Sequence, residues 1–337
     1  MTENGKKRIV SGMRSTGKLH LGHYFGVLAN WKKLQSEYDS FFFIADWHAL
    51  TTKFDTTDDL ATNVYNVALD WLSCGIDPNQ STIYVQSHVP QIAQLHIYLS
   101  MITPQNWVER DPTLKDMAKA LRLKGSGESQ VSYGLLGYPV LMTADIMMFN
   151  ANYVPVGIDQ VPHVELSRDI VRRFNNIYKT DFFVEPEPLL TQIPLMKGVD
   201  GNKMGKSFNN DIKISDDEET TTKKIMSAIT DRSRLRRDDP GHPEDCEVVY
   251  DYWKIFGSEE KVKEIDTLCR AGEIGCAQCK RELAQKVNEM LAPIREKRRE
   301  LSENPKLVRE ILIEGSKKAQ NEAQRVLDKV KEVVRMY

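Results

Sequence analysis

Two pairs of basic side chains come first, because each pair is spaced by three residues around a glycine. His20 and His23 sit in the string HLGH, and Lys203 and Lys206 in the string Lys203-Met204-Gly205-Lys206-Ser207. The histidines follow a polar loop, Arg14-Ser15-Thr16-Gly17-Lys18, that itself follows the apolar run Arg8–Met13. A loop entering a helix presents free N–H groups and the positive end of the helix dipole, and both suit phosphate. Residues three apart share a helix face, so both imidazoles can reach one phosphate. Gly22 leaves room for a base or ribose to lie against the backbone. The two lysines make a cationic clamp in a glycine-containing loop, suited to the charge on a departing pyrophosphate. Either string alone is often plain polar surface; together in one chain they are far more specific.

A third constellation is sulfur. Cys246, Cys269, Cys276 and Cys279 are spaced C-x22-C-x6-C-x2-C, while the fifth cysteine, Cys74, stands alone. In a reducing compartment such clustering points to metal rather than disulfides. Structural zinc usually shows two close pairs of ligands, and here only one pair is close. Iron–sulfur clusters accept an isolated ligand beside a local group. Just upstream, the stretch 223–237 carries Lys223, Lys224, Arg232, Arg234, Arg236 and Arg237 against Asp231 alone. A solvated face explains that charge as well as a phosphate-rich partner does. Finally, Tyr138, Met142, Asp145 and Phe149 recur at steps of four, three and four, one helix face with a single carboxylate. Such a face suits a large aromatic ligand with one donor, and it equally describes ordinary core.

The elements that must position these groups read as two kinds. Arg8–Met13, Ser40–Ala45, Thr82–Gln86 and Tyr153–Val156 have strand length and apolar content. Helical spacing runs over His20–Gln35, Asp58–Ser73, Gly137–Asn150 and Pro162–Asn176. That βαβαβ order predicts an α/β fold with a parallel sheet and helices on both faces. The stretch 104–134 is polar and glycine-containing, so a mobile or inserted segment is expected there. Prolines 186, 188 and 194 mark a connecting stretch. From about Asp216 strands become rare. Helices are expected over Lys223–Ile229, Glu259–Cys269, Lys280–Arg299, Lys306–Glu314 and Lys317–Val334, as a separate helical domain.

Bulk properties agree with two domains. The chain has 337 residues, 41% hydrophobic and 28% charged, and a net charge of −2. No run approaches the roughly 18 apolar residues of a membrane span, and the N-terminus lacks a secretory pattern, so a cytoplasmic protein is expected. The near-neutral total does not exclude a basic face for nucleic acid.

At this point the chain resembles the class I aminoacyl-tRNA synthetases, whose HIGH and KMSKS elements flank a Rossmann-type ATP site. Here they read HLGH and KMGKS; Gly205 stands in place of the usual Ser, and Ser15 where the nearest relatives usually have Pro. The segments SGMRSTGKLHLGHYFG, FFFIADWHALTT, YPVLMTADIM and VPVGIDQVPHVELSRDIVRRFN look like the tryptophanyl-tRNA synthetase family, in order, over nearly the whole chain. The resemblance implies a catalytic domain over 1–205, a helical anticodon-binding domain over 206–307, and a last helix (about 308–337) packing back on the first. It implies His20, His23, Lys203 and Lys206 as catalytic. It implies Arg14, Ser15, Thr16, Gly22, His23, Gly157, Ile158, Asp159, Leu195, Lys203, Met204, Gly205, Lys206 and Ser207 as ATP-binding. Asp145 would accept the indole N–H; Tyr138, Met142, Val154 and Val156 would line the ring pocket; His48 and Gln160 would lie near the amino-acid head group. A subset of the bacterial family carries the same cysteine spacing around a four-iron four-sulfur cluster, preferred here over zinc. Arg232, Arg234, Arg236 and Arg237 then become candidate tRNA phosphate contacts. ATP with Mg²⁺, L-tryptophan, tRNA(Trp) and a homodimer complete the expectation. A tyrosyl-type synthetase, a nucleotidyltransferase and a non-catalytic iron–sulfur RNA-binding paralogue are the alternatives.

Overall fold

The structure, a computed structural model, describes residues 5–112, 131–190 and 196–336. Most of the stretch 104–134 and two of the expected positions, Leu195 and Pro194, lie outside the described residues. The chain divides into two compact units. The first comprises Met1–Thr16, Ala29–Gln192 and Pro305–Tyr337, the second Gly17–Leu28 and Ile193–Asn304.

The first unit is built on five parallel strands: β1 (Arg8–Arg14), β2 (Asp39–Ala45), β3 (Ser81–Val85), β4 (Tyr153–Val156) and β5 (Glu187–Leu190), in the order β3-β2-β1-β4-β5. Its helices are α1 (Ala29–Glu37), α2 (Asp46–Lys53), α3 (Leu60–Ser73), α4 (Gln91–Ile102), α5 (Tyr138–Met147), α6 (Val161–Tyr178) and, from the far end of the chain, α11 (Pro305–Val334). The run Phe41-Phe42-Phe43 shows why both faces are covered. Alternate side chains of a strand point to opposite faces. Phe42 stacks on Trp31 of α1 at 4.3 Å between ring centroids, and Trp71 of α3 meets Trp31 edge-on. Phe41 stacks instead on Phe149 at 4.6 Å, and Phe43 on Tyr84 at 5.7 Å. The expected α/β class is therefore present.

Several elements escape the sequence pattern, among them the short helices Gln105–Glu109 and Tyr133–Leu136 at the two ends of the stretch 104–134. Helix α4 is apolar nearly all round, which blurs its period. Helix α2 begins directly at the end of β2, and α8 (Val249–Phe256) lies between two cysteines of the spaced set. Strand β5 contains Pro188, which is tolerated because β5 is an edge strand and its open side needs no donor. Helix α11 is one continuous helix rather than two, and Gly315 explains the mistaken break. A Cβ at Gly315 would lie 1.8 Å from the carbonyl oxygen of Ile83. The glycine thus lets α11 lie against β3, where the Ser316 hydroxyl also receives the Val85 N–H at 3.4 Å. That covers the other edge of the sheet.

The second unit carries a short helical turn (Leu21–His23), a π-helical stretch (Tyr24–Leu28), and helices α7 (Glu218–Ser227), α8, α9 (Glu259–Arg270) and α10 (Cys276–Glu303). Asp217 caps α7 by accepting the Thr220 N–H, and Ser258 caps α9 by accepting that of Lys261. Helices α7 and α10 are fastened by polar contacts: Asn288 donates to Thr222 at 3.0 Å, and Arg295 to Thr221 at 2.8 Å. Among the described residues no helix is long and apolar enough to cross a membrane.

Candidate active site and cysteine centre

Strand order in the first unit reverses between β1 and β4, and ligands of open parallel sheets bind outside the carboxyl ends of strands at such a point. Arg14 ends β1, His48 follows β2 on α2, Gln86 follows β3, and Gly157-Ile158-Asp159-Gln160 follows β4. At this edge the Ser15 hydroxyl is buried and unpartnered among the described residues.

Asp145 is the centre of one group. It is fully buried on α5. Its Oδ2 lies 2.8 Å from His48 Nε2, and Gln86 Nε2 donates to Oδ1 at 2.8 Å and to Oδ2 at 2.9 Å. Burial pushes the Asp145 carboxyl up in pKa, while His48 and Gln86 pull it down. Facing a carboxylate, His48 Nε2 must carry the proton, which leaves Nδ1 buried and without a partner among the described residues. The Tyr138 ring stands edge-on to His48 at 4.3 Å. Met142 and Val156 are half-buried and Val154 is buried. His48 is thus seated on Asp145, whereas Gln160 sits at the end of β4 and donates to Asp159 at 3.2 Å. Phe149 lies past the end of α5, in the core against Phe41. Behind Tyr138, buried His163 pairs with Asp111, Nδ1 to Oδ2 at 2.6 Å, with the two rings of Tyr138 and His163 5.6 Å apart.

The phosphate-type groups come together within the second unit. The His20 and His23 ring centroids are 3.7 Å apart. The His20 backbone N–H donates to His23 Nδ1 at 3.2 Å, so neutral His23 carries its proton on Nε2. Burial lowers the pKa of His20 to about 4, with Asp211 opposing and Lys206 assisting. Burial, then His20 and Lys206, hold His23 well below its ordinary value. Both rings are therefore neutral donors at pH 7. Gly22 packs closely beneath the histidines, since a Cβ there would lie 3.0 Å from the His20 ring. Met204 is buried, Lys203 is exposed, and Lys206 Nζ donates to the Gly17 carbonyl at 2.7 Å. Ser207 belongs to the turn Lys206–Phe208. The loop has an organiser that its own motif does not reveal. Asn210, buried, accepts the Gly205 N–H at 2.9 Å and donates to Asp200 at 2.8 Å and to the Lys203 carbonyl at 3.2 Å.

The four cysteines converge in the same unit without forming a disulfide. Cys269 ends α9, and Cys276 and Cys279 occupy the first turn of α10. Burial raises the pKa of Cys279 to about 12, and each of the other three thiols adds to the rise, so all four lie within electrostatic reach. Two N–H donors face the sulfurs: Trp253 Nε1 is 3.2 Å from Cys279 Sγ, and Arg234 Nη1 is 3.9 Å from Cys269 Sγ. Arg234 also donates to the Arg237 carbonyl. The arginine stretch is therefore divided: Arg234 turns toward sulfur, while Arg232, Arg236 and Arg237 are exposed. Asp231 anchors the stretch, receiving the backbone N–H of Ser233 at 2.8 Å and of His242 at 2.9 Å. Among the described residues, the group of ligating atoms within 4.8 Å of one another is Asp231, His242 and Asp245, not the cysteines.

Comparison with known proteins gives a consistent set of relatives. The family described as "tRNA synthetases class I (W and Y)" matches residues 2–292. A tryptophan–tRNA ligase of Thermotoga maritima is 43% identical, over 98% of this chain and 99% of its own length. One from Aquifex aeolicus is 41% identical, over 98% of this chain and all of its own. The crystal structure of a tryptophanyl-tRNA synthetase from Campylobacter jejuni, complexed with ADP and tryptophan, superposes with a TM-score of 0.87 at 36% identity, covering 98% of this chain and all of that one.

Proposed function

The chain belongs to the class I tRNA synthetases of the tryptophan and tyrosine family, and from that premise we infer how a tryptophan–tRNA ligase works with these residues. The enzyme activates L-tryptophan with ATP and joins it to tRNA(Trp). The observation that carries the tryptophan specificity is Asp145, a buried carboxylate on an otherwise apolar helix face. Indole has one donor and no acceptor, and an ionised carboxylate is acceptor-only. Tyr138, Met142, Val154 and Val156 surround the ring in this assignment, and Gln160 takes part at the head group.

A tryptophan carboxylate oxygen attacks the α-phosphorus of ATP, and the bond to the β-phosphate breaks. Pyrophosphate leaves and tryptophanyl-adenylate remains; Mg²⁺ would accompany the phosphates as part of the ATP substrate and offset their charge. The terminal ribose hydroxyl of tRNA then attacks the activated carbonyl and AMP departs. No covalent nucleophile is needed; positioning and charge stabilisation supply the catalysis. His23 offers its Nε2–H to phosphate as a neutral donor, and His20 supports it. Lys203 and Lys206 carry the positive charge for the leaving group. Gly157 and Asp159 at the end of β4, with Arg14, Ser15 and Thr16 after β1, serve the nucleotide.

We propose that the helical unit reads tRNA, with Arg232, Arg236 and Arg237 on phosphate, and that its four cysteines hold a four-iron four-sulfur cluster. The donor set is compatible: four thiols lie within electrostatic reach of one another, and two N–H groups approach sulfur. A single zinc ion would instead hold the four sulfurs at about 2.3 Å, and zinc sites usually draw their ligands from two close pairs, whereas only Cys276 and Cys279 form one here. When bound, the cluster would supply a rigid anchor for the arginine stretch. A homodimer is also proposed, supported by Ile97 and Met101, one turn apart and exposed on α4. The cytoplasm is the expected location. Pyrophosphate exchange into ATP, dependent on tryptophan alone, tests the activity.

A further inference from the structure

Asp145 does not act alone. Gln86 is fully buried and follows Val85 at the carboxyl end of β3. Its orientation is determined by two neighbours. Its Oε1 accepts the backbone N–H of His48 at 3.4 Å. Its Nε2 then points at the carboxylate, at 2.8 Å from Oδ1 and 2.9 Å from Oδ2. The opposite flip would set an amide oxygen against an acceptor-only carboxylate and is disfavoured.

A carboxylate has about four lone-pair positions. Three contacts are already made to Asp145: two from Gln86 and one from His48 Nε2 at 2.8 Å. Among the described residues, Oδ2 receives both side chains, whereas Oδ1 receives Gln86 only. One acceptor position on Oδ1 is left, and indole has one N–H to place there. We propose that Gln86 is a specificity-determining positioning residue: it holds the Asp145 carboxylate in the rotation that leaves one Oδ1 lone pair for a single ring N–H. The proposal rests on Asp145 being the indole acceptor. The second contact of Gln86 matters to the same end, because it ties the carboxylate to the start of α2 through His48.

Burial works against the ionised form of Asp145, and the Gln86 amide opposes that effect. Without it the carboxylate is freer to rotate and easier to protonate, and a neutral carboxyl group is a weaker acceptor for an indole N–H than an ionised one.

The test uses pyrophosphate exchange with tryptophan and with its benzothiophene analogue, which has the same shape and no N–H. Gln86→Leu and Gln86→Glu are compared with Asp145→Ala, which removes the acceptor, alongside thermal melts. Gln86→Leu is expected to raise KM for tryptophan about 10-fold to 100-fold, the range for losing hydrogen bonds to a charged group. It should leave kcat within a few-fold and narrow the tryptophan-to-analogue ratio. Gln86→Glu places a second carboxylate beside the first and should narrow the ratio further. A purely structural defect would lower both substrates together and keep the ratio. If Asp145→Ala collapses the ratio while Gln86→Leu preserves it, the clamp is wrong and the acceptor assignment stands. If Asp145→Ala preserves the ratio, the acceptor assignment fails and the clamp with it. Should Gln86→Leu fold poorly, the isosteric Gln86→Glu decides: a preserved ratio overturns the proposal.

Discussion

Lys206 Nζ donates to the carbonyl of Gly17 at 2.7 Å, so the lysine of the KMGKS loop rests on the loop that leads into HLGH. The same lysine helps depress the pKa of both His20 and His23. The two strings thus form one electrostatic unit rather than two separate basic patches.

Lys206 is assigned to charge that develops as pyrophosphate leaves. Lys206→Ala should slow adenylate formation by on the order of 3 kcal/mol, by analogy with loss of one preorganised donor. ATP binding should weaken much less. Single-turnover formation of tryptophanyl-adenylate measures this. A rate within a few-fold of the parent would show that the lysine serves only the folded loop.

The parts of this site legible in the sequence were those whose chemistry repeats at short spacing. HLGH, KMGKS and the four cysteines are local patterns, and so is the face of α5 that carries Asp145. Partners brought in by tertiary packing left no such trace. Gln86 and the His163–Asp111 pair act across tens of residues, and Asn210 works from outside the KMGKS string through contacts that carry no repeating pattern. The same holds for the fold: β1 to β4 were readable from apolar runs, whereas β5 hid behind Pro188 and α4 behind its all-round apolar surface. Gly315 looked like a helix end because its reason, the approach to Ile83, lies on another element.

Removing the Asp145 side chain has a structural consequence as well as a catalytic one. Asp145→Ala leaves the donors of His48 and Gln86 buried without an acceptor. Orphaned donors of this kind cost roughly 1–3 kcal/mol each. Denaturant unfolding should therefore show at least about 2 kcal/mol lost, together with lost tryptophan activation. Full stability in this variant would contradict the buried network.

The histidines set a pH dependence with a defined sign. His20 titrates at about 4 in the folded protein, against an ordinary 6.5. As pH falls from 6.5 toward 4, the unfolded chain takes up the proton first. The stability contribution is thus complete above pH 6.5 and is lost on the way down to 4. Urea midpoints over this window should fall more steeply in the parent than in His20→Gln. Equal slopes would mean that His20 is not buried neutral. The kcat/KM profile should also lack a limb near 6.5 from either ring.

The proposed cysteine centre predicts a difference between the two half-reactions. Protein prepared without oxygen should be brown and hold about four irons per chain. Cys279→Ser should lose that iron and should impair tRNA charging more than adenylate formation, because ligation staples α9 and α10 beside the arginine stretch. Colourless protein with one zinc per chain would refute the cluster and leave the ligase activity untouched.

The central claim is that this site activates tryptophan and no other amino acid. Pyrophosphate exchange into ATP, run with each of the twenty amino acids in turn, tests it most directly. Tryptophan alone should support exchange, with tyrosine and phenylalanine near background. Exchange supported by tyrosine as well as or better than by tryptophan would contradict the account, since it would place the ring-recognising group somewhere other than Asp145.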